Sequence, residues 1–234
     1  MALPYFFVNG LEQKSIQLDE DTSKHIISVL RMQKGEELLL TNGKGEKAKA
    51  QIIDDNRKRC VVQILSIESE APSRPHICIA ISITKNSSRF EWFLEKATEI
   101  GVNEVIPLLS ERTAKEKFRF DRMRGILVSA MLQSQQTWLP NLYQPTSVNE
   151  VLEKAAQEQK FIAHCLPEQK QQLSSIIRQH SSIILIGPEG DFTPGEISAA
   201  IESGFTPVAL GNTRLRTETA GMVAAAILKI SYTN

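Results

Sequence analysis

The chain has 234 residues, with 27 basic against 27 acidic side chains, 41% apolar residues and 23% charged ones. That length can bury a core without disulfide or metal staples, and the balance excludes disorder, fibrous repeats and a polyelectrolyte that grips nucleic acid by bulk charge. No apolar run reaches the length of a membrane span, and the opening MALPYFFVNGLEQKS lacks the basic region of a secretory signal.

Residues 1–70 are expected to form a first domain of short strands, at Tyr5–Val8, Glu36–Leu40, Lys47–Ile53 and Cys60–Ile67. Between the first two lies one helical stretch, Asp19–Leu30, in which Ile26, Ile27 and Leu30 share a face. The turn TNGKGE, with its asparagine and two glycines, predicts a hairpin. This is the texture of a small β-barrel. The stretch IESEAPSRP, with two prolines and no apolar period, predicts the boundary.

From residue 75 to 234 the texture becomes α/β. The strand ICIAISIT leads to the helix SSRFEWFLEKATEIG, with Ser88 as its expected N-cap and Gly101 as its expected C-cap. There follow strand VNEVIPLL, helix FDRMRGILVSAMLQSQ, strands KFIAHC and SSIILIG, helix TPGEISAAIESG, strand TPVAL and helix TETAGMVAAAILKI. Strands alternating with helices predict a mostly parallel sheet covered on both faces.

Cys60, Cys78 and Cys165 are odd in number and lack CxxC spacing, which excludes a disulfide framework and a zinc site. They read as small core residues of a cytosolic protein. His25, His76, His164 and His180 show no metal spacing either, so no metal is expected. The motifs GxxxxGK[ST], GxGxxG and GxSxG are all absent, which removes the main support for an ATPase, a dinucleotide-dependent dehydrogenase or an elbow hydrolase.

Two loops carry more turn material than their connections need. GPEGDFTPGEI follows the strand Ile183–Ile186, and its second half is a capping box of Thr193, Pro194 and Glu196. LGNTRLRTETAG follows Pro207–Leu210 and opens the last helix, with Thr217 or Thr219 as cap and Arg214 and Arg216 just ahead. Both are expected side by side at the carboxyl edge of the sheet, where open α/β folds bind ligands. Glycines, threonines and backbone groups suit a neutral or cationic nucleoside-like cofactor better than a triphosphate.

Charge is unevenly placed. Arg112, Lys115, Lys117, Arg119, Arg122 and Arg124 crowd the middle of the chain, and Lys44, Lys47, Lys49, Arg57, Lys58 and Arg59 decorate the first domain. Clustered cations in a neutral protein make RNA the leading partner.

At its two loops the sequence resembles the RsmE family of SPOUT-class RNA methyltransferases. The resemblance rests on GPEG at Gly187–Gly190, on Leu210–Gly211 and on LRTETA at Leu215–Ala220. It extends through HIISVLRM at His25–Met32, EKATEIGV at Glu95–Val102, SER at Ser110–Arg112 and the pair Gln133–Ser134. It departs from the family at Asp191, where a second glycine is common, and at Gln136, where an arginine is common.

The resemblance implies a PUA-like barrel for RNA binding, then a SPOUT domain with a deep trefoil knot, working as a homodimer. It implies transfer of methyl from S-adenosylmethionine to N3 of a uridine in the decoding region of 16S rRNA, within the small ribosomal subunit. The donor would be held by Leu166, Ile186, Gly187, Pro188, Glu189, Gly190, Leu210, Gly211, Leu215, Arg216, Thr217, Thr219 and Ala220. Arg216 is the candidate to stabilise the uridine anion; Glu189 or Glu218 would take the N3 proton or, in a plainer role, pair with Arg216 or accept backbone hydrogen bonds within the turn. Arg31, Arg89, Lys96, Arg112, Lys115, Lys117 and Arg119 would meet RNA. The competing readings are a SPOUT enzyme acting on another RNA and a non-catalytic RNA-binding module.

Overall fold

Alternation of inward and outward residues along Glu37–Thr41 and Glu46–Asp54 sends Leu38, Leu40, Ala48, Ala50 and Ile52 into one core. The computed structural model describes residues 3–113, 117–166 and 170–233. By contacts the chain divides into Met1–Pro72 with Met131–Leu139, and Ser73–Ala130 with Pro140–Asn234.

The first unit holds strands β1 (Tyr5–Phe7) and β2 (Ser15–Gln17), helix α1 (Glu20–Lys24), a π-helical turn His25–Val29, and strands β3 (Glu37–Thr41), β4 (Glu46–Asp54) and β5 (Val61–Ser69). The strands form a five-stranded half-barrel sheet in the order β1-β3-β4-β5-β2. Its core gathers Leu11, Leu18, Ile26, Leu38, Leu40, Ile52, Cys60 and Val62.

The helical stretch departs from the expected single α-helix. Asp19 caps α1 by accepting the Thr22 N–H at 2.9 Å, and beyond Lys24 the turn widens, with Leu30 N–H donating to His25 O at 2.9 Å. A widened turn rotates each residue less than an α-turn does. Ile26 therefore stays buried, while Val29 and Leu30 face solvent and Leu30 leaves the shared face.

The TNGKGE turn between β3 and β4 does more than reverse the chain. Leu139 N–H donates to Gly43 O and Gly45 N–H to Thr137 O, both at 2.9 Å, and Trp138 Nε1 donates to Glu70 O at 3.0 Å. A Cβ on Gly45, whose φ is 86°, would sit 2.6 Å from Glu70 O and against the Trp138 ring. Glycine is thus required by backbone and neighbours together. These bonds place Met131–Leu139 in the first unit, whereas the linear reading assigned everything beyond 75 to the second. Gln136 belongs to this segment, and its carbonyl accepts the Tyr5 hydroxyl at 3.1 Å.

The second unit contains, in chain order, β6 (Ile77–Ser82), α2 (Ser87–Ile100), β7 (Glu104–Leu109), α3 (Phe120–Gln133, of which Met131–Gln133 fall in the first unit), β8 (Asn141–Leu142), β9 (Thr146–Ser147), α4 (Val148–Lys154), β10 (Gln159–Ala163), β11 (Gln171–Gln172), α5 (Leu173–Ile176), β12 (Ser182–Ile186), α6 (Pro194–Glu202), β13 (Thr206–Ala209) and α7 (Thr217–Thr233). All its strand pairs are parallel, in the order β11-β13-β10-β12-β6-β7-β8, with β9 also on β7. The apolar runs of β6 and β12 are buried throughout because both faces are covered. Cys78, Ala80, Ile183 and Leu185 pack with α4 and α6. On α7, a Cβ at Gly221 would meet Ile81 Cδ1 at 2.6 Å and Phe93 at 2.8 Å, so a bare glycine brings that helix close to β6 and α2.

Local signals resolve in detail here. Thr193 caps α6 in a full capping box with Glu196 behind Pro194, and Gly101 closes α2 at φ 87°. The N-cap of α2 is Asn86, not Ser88: the Ser88 N–H donates to Asn86 Oδ1 at 3.0 Å, so Ser88 already lies inside the first turn. Short β2, β8, β9 and β11, together with α4 and α5, were not foreseen, being too short to show a period.

Candidate functional site

Because the strands run parallel, their carboxyl ends share one edge, and there the loops after β10, β12 and β13 surround a cavity of about 630 Å³. The two loops singled out in the sequence do not follow adjacent strands. β10 lies between β12 and β13, so the loop beginning at His164 sits between them. The two outer loops nevertheless meet: the Thr217 hydroxyl donates to Gly187 O at 3.0 Å. Thr217 is buried and is the first residue of α7.

Most of the expected cofactor residues line the cavity, namely Ile186, Gly187, Pro188, Glu189, Leu210, Gly211, Leu215, Arg216, Thr217 and Ala220. Leu166, Gly190 and Thr219 do not line it. Gly190 is engaged elsewhere, its carbonyl accepting Arg112 Nη1 at 2.8 Å. Gly211 has φ 134°, which lets the loop after β13 turn under the cavity.

The three residues expected to act chemically separate. Arg216 and Glu189 are exposed and line the cavity, and Glu189 Oε1 accepts the Lys85 N–H at 3.3 Å. Glu218 is buried outside the lining. Its Oε1 lies 3.6 Å from Arg89 Nε, and its Oε2 has no hydrogen-bond partner among the described residues.

Several lining residues were missed. The Lys170 ammonium donates to His164 O at 2.6 Å and to Leu166 O at 2.8 Å, gathering two carbonyls of the loop after β10 on one side chain. Asp191 accepts the Cys165 N–H at 2.8 Å. Cys60 and Cys78 are core residues as expected, but Cys165 is exposed at the cavity because it follows the last residue pair of β10 instead of sitting within the strand. The signal that could have found Cys165 is its place just past a buried strand; nothing local marks Lys170.

The expected RNA contacts spread over both units. Arg31 is exposed in the first unit, at φ 58°. In the second, Lys96 is held between Glu95 at 2.7 Å and Glu99 at 2.9 Å, whose hydrogen bonds push its pKa up. Arg89 is half-buried against Glu218. Lys117 and Arg119 are exposed beside a polar cleft of about 340 Å³ that also includes Ser87, Ser88 and Arg122. Arg122 forms a two-pronged pair with Glu91 at 2.6 and 2.9 Å, which holds the Glu91 carboxyl below its ordinary range. Lys115 lies outside the described residues. Among the described residues no cluster of three metal-ligating side chains occurs, and no helix is long and apolar enough to cross a membrane.

Residues 70–229 match the model of an RNA methyltransferase domain, and residues 18–65 that of an RNA methyltransferase PUA domain. The chain is 34% identical to ribosomal RNA small subunit methyltransferase E of a Synechocystis species, over 85% of this chain and 67% of that protein. A crystal structure of a probable rRNA-methyltransferase from Porphyromonas gingivalis superposes with TM-score 0.94 at 39% identity, covering 99% of each chain. Ribosomal RNA small subunit methyltransferase E from Neisseria gonorrhoeae, solved bound to S-adenosylmethionine, gives TM-score 0.87 at 29% identity and covers 98% of each chain. An α/β domain of SPOUT type joined to a PUA-like half-barrel is what these relatives share with it, and the chain belongs to the ribosomal RNA small subunit methyltransferase E family.

Proposed function

We propose that this chain methylates N3 of a uridine in the decoding region of 16S rRNA, using S-adenosylmethionine held in the cavity at the carboxyl edge of the second unit. The observation that carries this reading is the cavity itself: about 630 Å³, walled by three consecutive edge loops and bridged by the bond from Thr217 to Gly187. That volume falls in the range of small-molecule sites. The donor set fits a cationic nucleoside: backbone-rich turns and the Glu189 carboxylate on the wall, with the ammonium of Lys170 spent on carbonyls. The bound donor supplies an electrophilic methyl group on a sulfonium.

The residues of this chain do the remaining work. Uridine N3 is protonated at neutral pH, so the site must favour its anion. Arg216, exposed on the cavity wall one residue before α7, brings a guanidinium and the helix N-terminus toward the developing charge. Glu189 faces the same cavity and takes the N3 proton. Glu218, buried against Arg89, holds that arginine at the surface where RNA passes. Arg31, Arg112, Lys117 and Arg119, together with the half-barrel of residues 1–70, grip the rRNA of the small subunit. The loops after β10, β12 and β13 form a trefoil knot, the enzyme works as a homodimer, and its setting is the cytoplasm.

Mass spectrometry of 16S rRNA nucleosides from cells with and without the protein tests the reaction. Loss of N3-methyluridine on deletion supports it; an unchanged spectrum, or loss of a modification from another RNA, overturns it. Calorimetry with S-adenosylmethionine separates an enzyme from an inert binding module, which gives no heat.

A further inference from the structure

The turn after β12 carries an aspartate in a backbone conformation that glycine adopts freely. Asp191 has φ 63°, and its N–H donates to Pro188 O at 2.9 Å. Aspartate tolerates this region better than most residues. Here its side chain is fully engaged: Oδ2 accepts the Cys165 N–H at 2.8 Å and Oδ1 accepts the Phe192 N–H at 2.9 Å. Glycine, with no side chain, makes neither bond.

The two bonds connect a loop to an anchor. Phe192 is buried in the same cluster as Ile197, Ala200 and Phe205, so the turn is rooted in the core. Cys165 belongs to the loop after β10, whose carbonyls at His164 and Leu166 are already gathered by Lys170. An ammonium thus holds that loop by its C=O groups and a carboxylate holds it by an N–H. β10 and β12 are paired neighbours, Ala163 opposite Ile186, so the carboxylate spans the gap just past the last paired residues. Cys165 and Asp191 both line the cavity.

We propose that Asp191 is a positioning residue, a clasp whose carboxylate pins the loop after β10 to the turn after β12 and thereby shapes the cavity for the methyl donor. The part concerning the donor rests on the reading of the cavity given above. The rim carboxylate is therefore a structural tie rather than loose negative charge.

Cys165 is a built-in reporter. It is exposed, while Cys60 and Cys78 are buried, and burial pushes the Cys60 thiol up to about 11 and the Cys78 thiol well above its ordinary value. The rate of Cys165 labelling by dithionitrobenzoate is measured in the cofactor-free full chain for wild type, Asp191→Gly and Asp191→Asn, with Cys165→Ser as the blank. Asp191→Gly, which makes neither bond, is expected to label about tenfold faster as the loop loosens around the thiol, and Asp191→Asn, which keeps an acceptor oxygen, is expected to stay close to the wild-type rate. Equal rates in wild type and Asp191→Gly overturn the clasp. In calorimetry Asp191→Gly should weaken S-adenosylmethionine binding by about tenfold while the methylation rate at saturating donor stays within about twofold. Unchanged affinity beside a collapsed rate overturns the positioning role. If S-adenosylmethionine neither binds wild type nor slows Cys165 labelling, the pocket reading fails, and the labelling rates still judge the clasp.

Discussion

The Thr217 hydroxyl reaches across from the start of α7 to donate to the carbonyl of Gly187, 3.0 Å away, and so joins the loops that follow β13 and β12. Those strands are not neighbours; β10 runs between them. The bond therefore spans the mouth of the intervening strand and closes one wall of the cavity. Thr217→Val keeps the shape and removes the donor. Losing one buried hydrogen bond should cost about 1 kcal/mol of stability and weaken S-adenosylmethionine binding roughly five-fold. Chemical denaturation and calorimetry on the same preparation check both, and unchanged affinity would separate this bond from the pocket.

Arg216 lines the cavity but is exposed, so it is placed to act on the substrate rather than to support the wall. Arg216→Ala is expected to lower the methylation rate at saturating donor by about a hundredfold, the scale for removing one preorganised charge partner, with donor affinity changed less than about twofold. Single-turnover kinetics beside calorimetry read the two quantities. A collapse of donor binding would assign Arg216 to the pocket.

The two glutamates should part in the same assay. Glu189 faces the cavity, so Glu189→Gln is expected to cut the rate by about a hundredfold or more. Glu218 is buried beside Arg89 and away from the lining, so Glu218→Gln should leave the rate at saturating RNA within about threefold and act on RNA affinity through Arg89. The reverse pattern would make Glu218 the proton acceptor.

Acid should loosen the first unit through Asp19. Burial pushes its carboxyl up, but hydrogen bonds from the Thr22 backbone and hydroxyl outweigh this and hold it below its ordinary value of 3.8. A carboxyl depressed in the native state stabilises above its unfolded value, and the contribution disappears as pH falls through the native one. Asp19→Asn keeps a capping oxygen without a titrating group, whereas Asp19→Ala should cost about 1 kcal/mol at neutral pH. As pH falls from 3.8 through the depressed native value, the wild type should lose its charge-dependent margin and approach the asparagine variant, which keeps an uncharged capping oxygen throughout. Thermal melts across that range check the sign.

What the chain reveals without its structure is whatever neighbouring residues settle among themselves. The capping box of Thr193, Pro194 and Glu196, the glycine end of α2 at Gly101 and the buried runs of β6 and β12 are each decided within a few residues by dihedral preference, local hydrogen bonds and hydrophobic period. The GPEG and LRTETA loops stand out for the same reason, because they hold more turn chemistry than a connection needs. Even a local reading fails where propensity is ambiguous. The widened turn at His25–Val29 carries the same apolar residues as an α-helix but aims Leu30 outward.

Tertiary structure alone decided the rest, because each remaining feature pairs groups far apart in the chain. The insertion of β10 between β12 and β13 follows from sheet pairing, which no local pattern encodes. The return of Met131–Leu139 to the first unit depends on hydrogen bonds to Gly43 and Gly45, some ninety residues earlier (Thr137 to Thr41 spans 96). In sequence Asp191 stands out only as a departure from a common glycine, and the position of the Cys165 N–H shows it to be a tie. The loops and their residue types were written in the chain; which loops touch, and through which atoms, was fixed by the folding of the sheet beneath them.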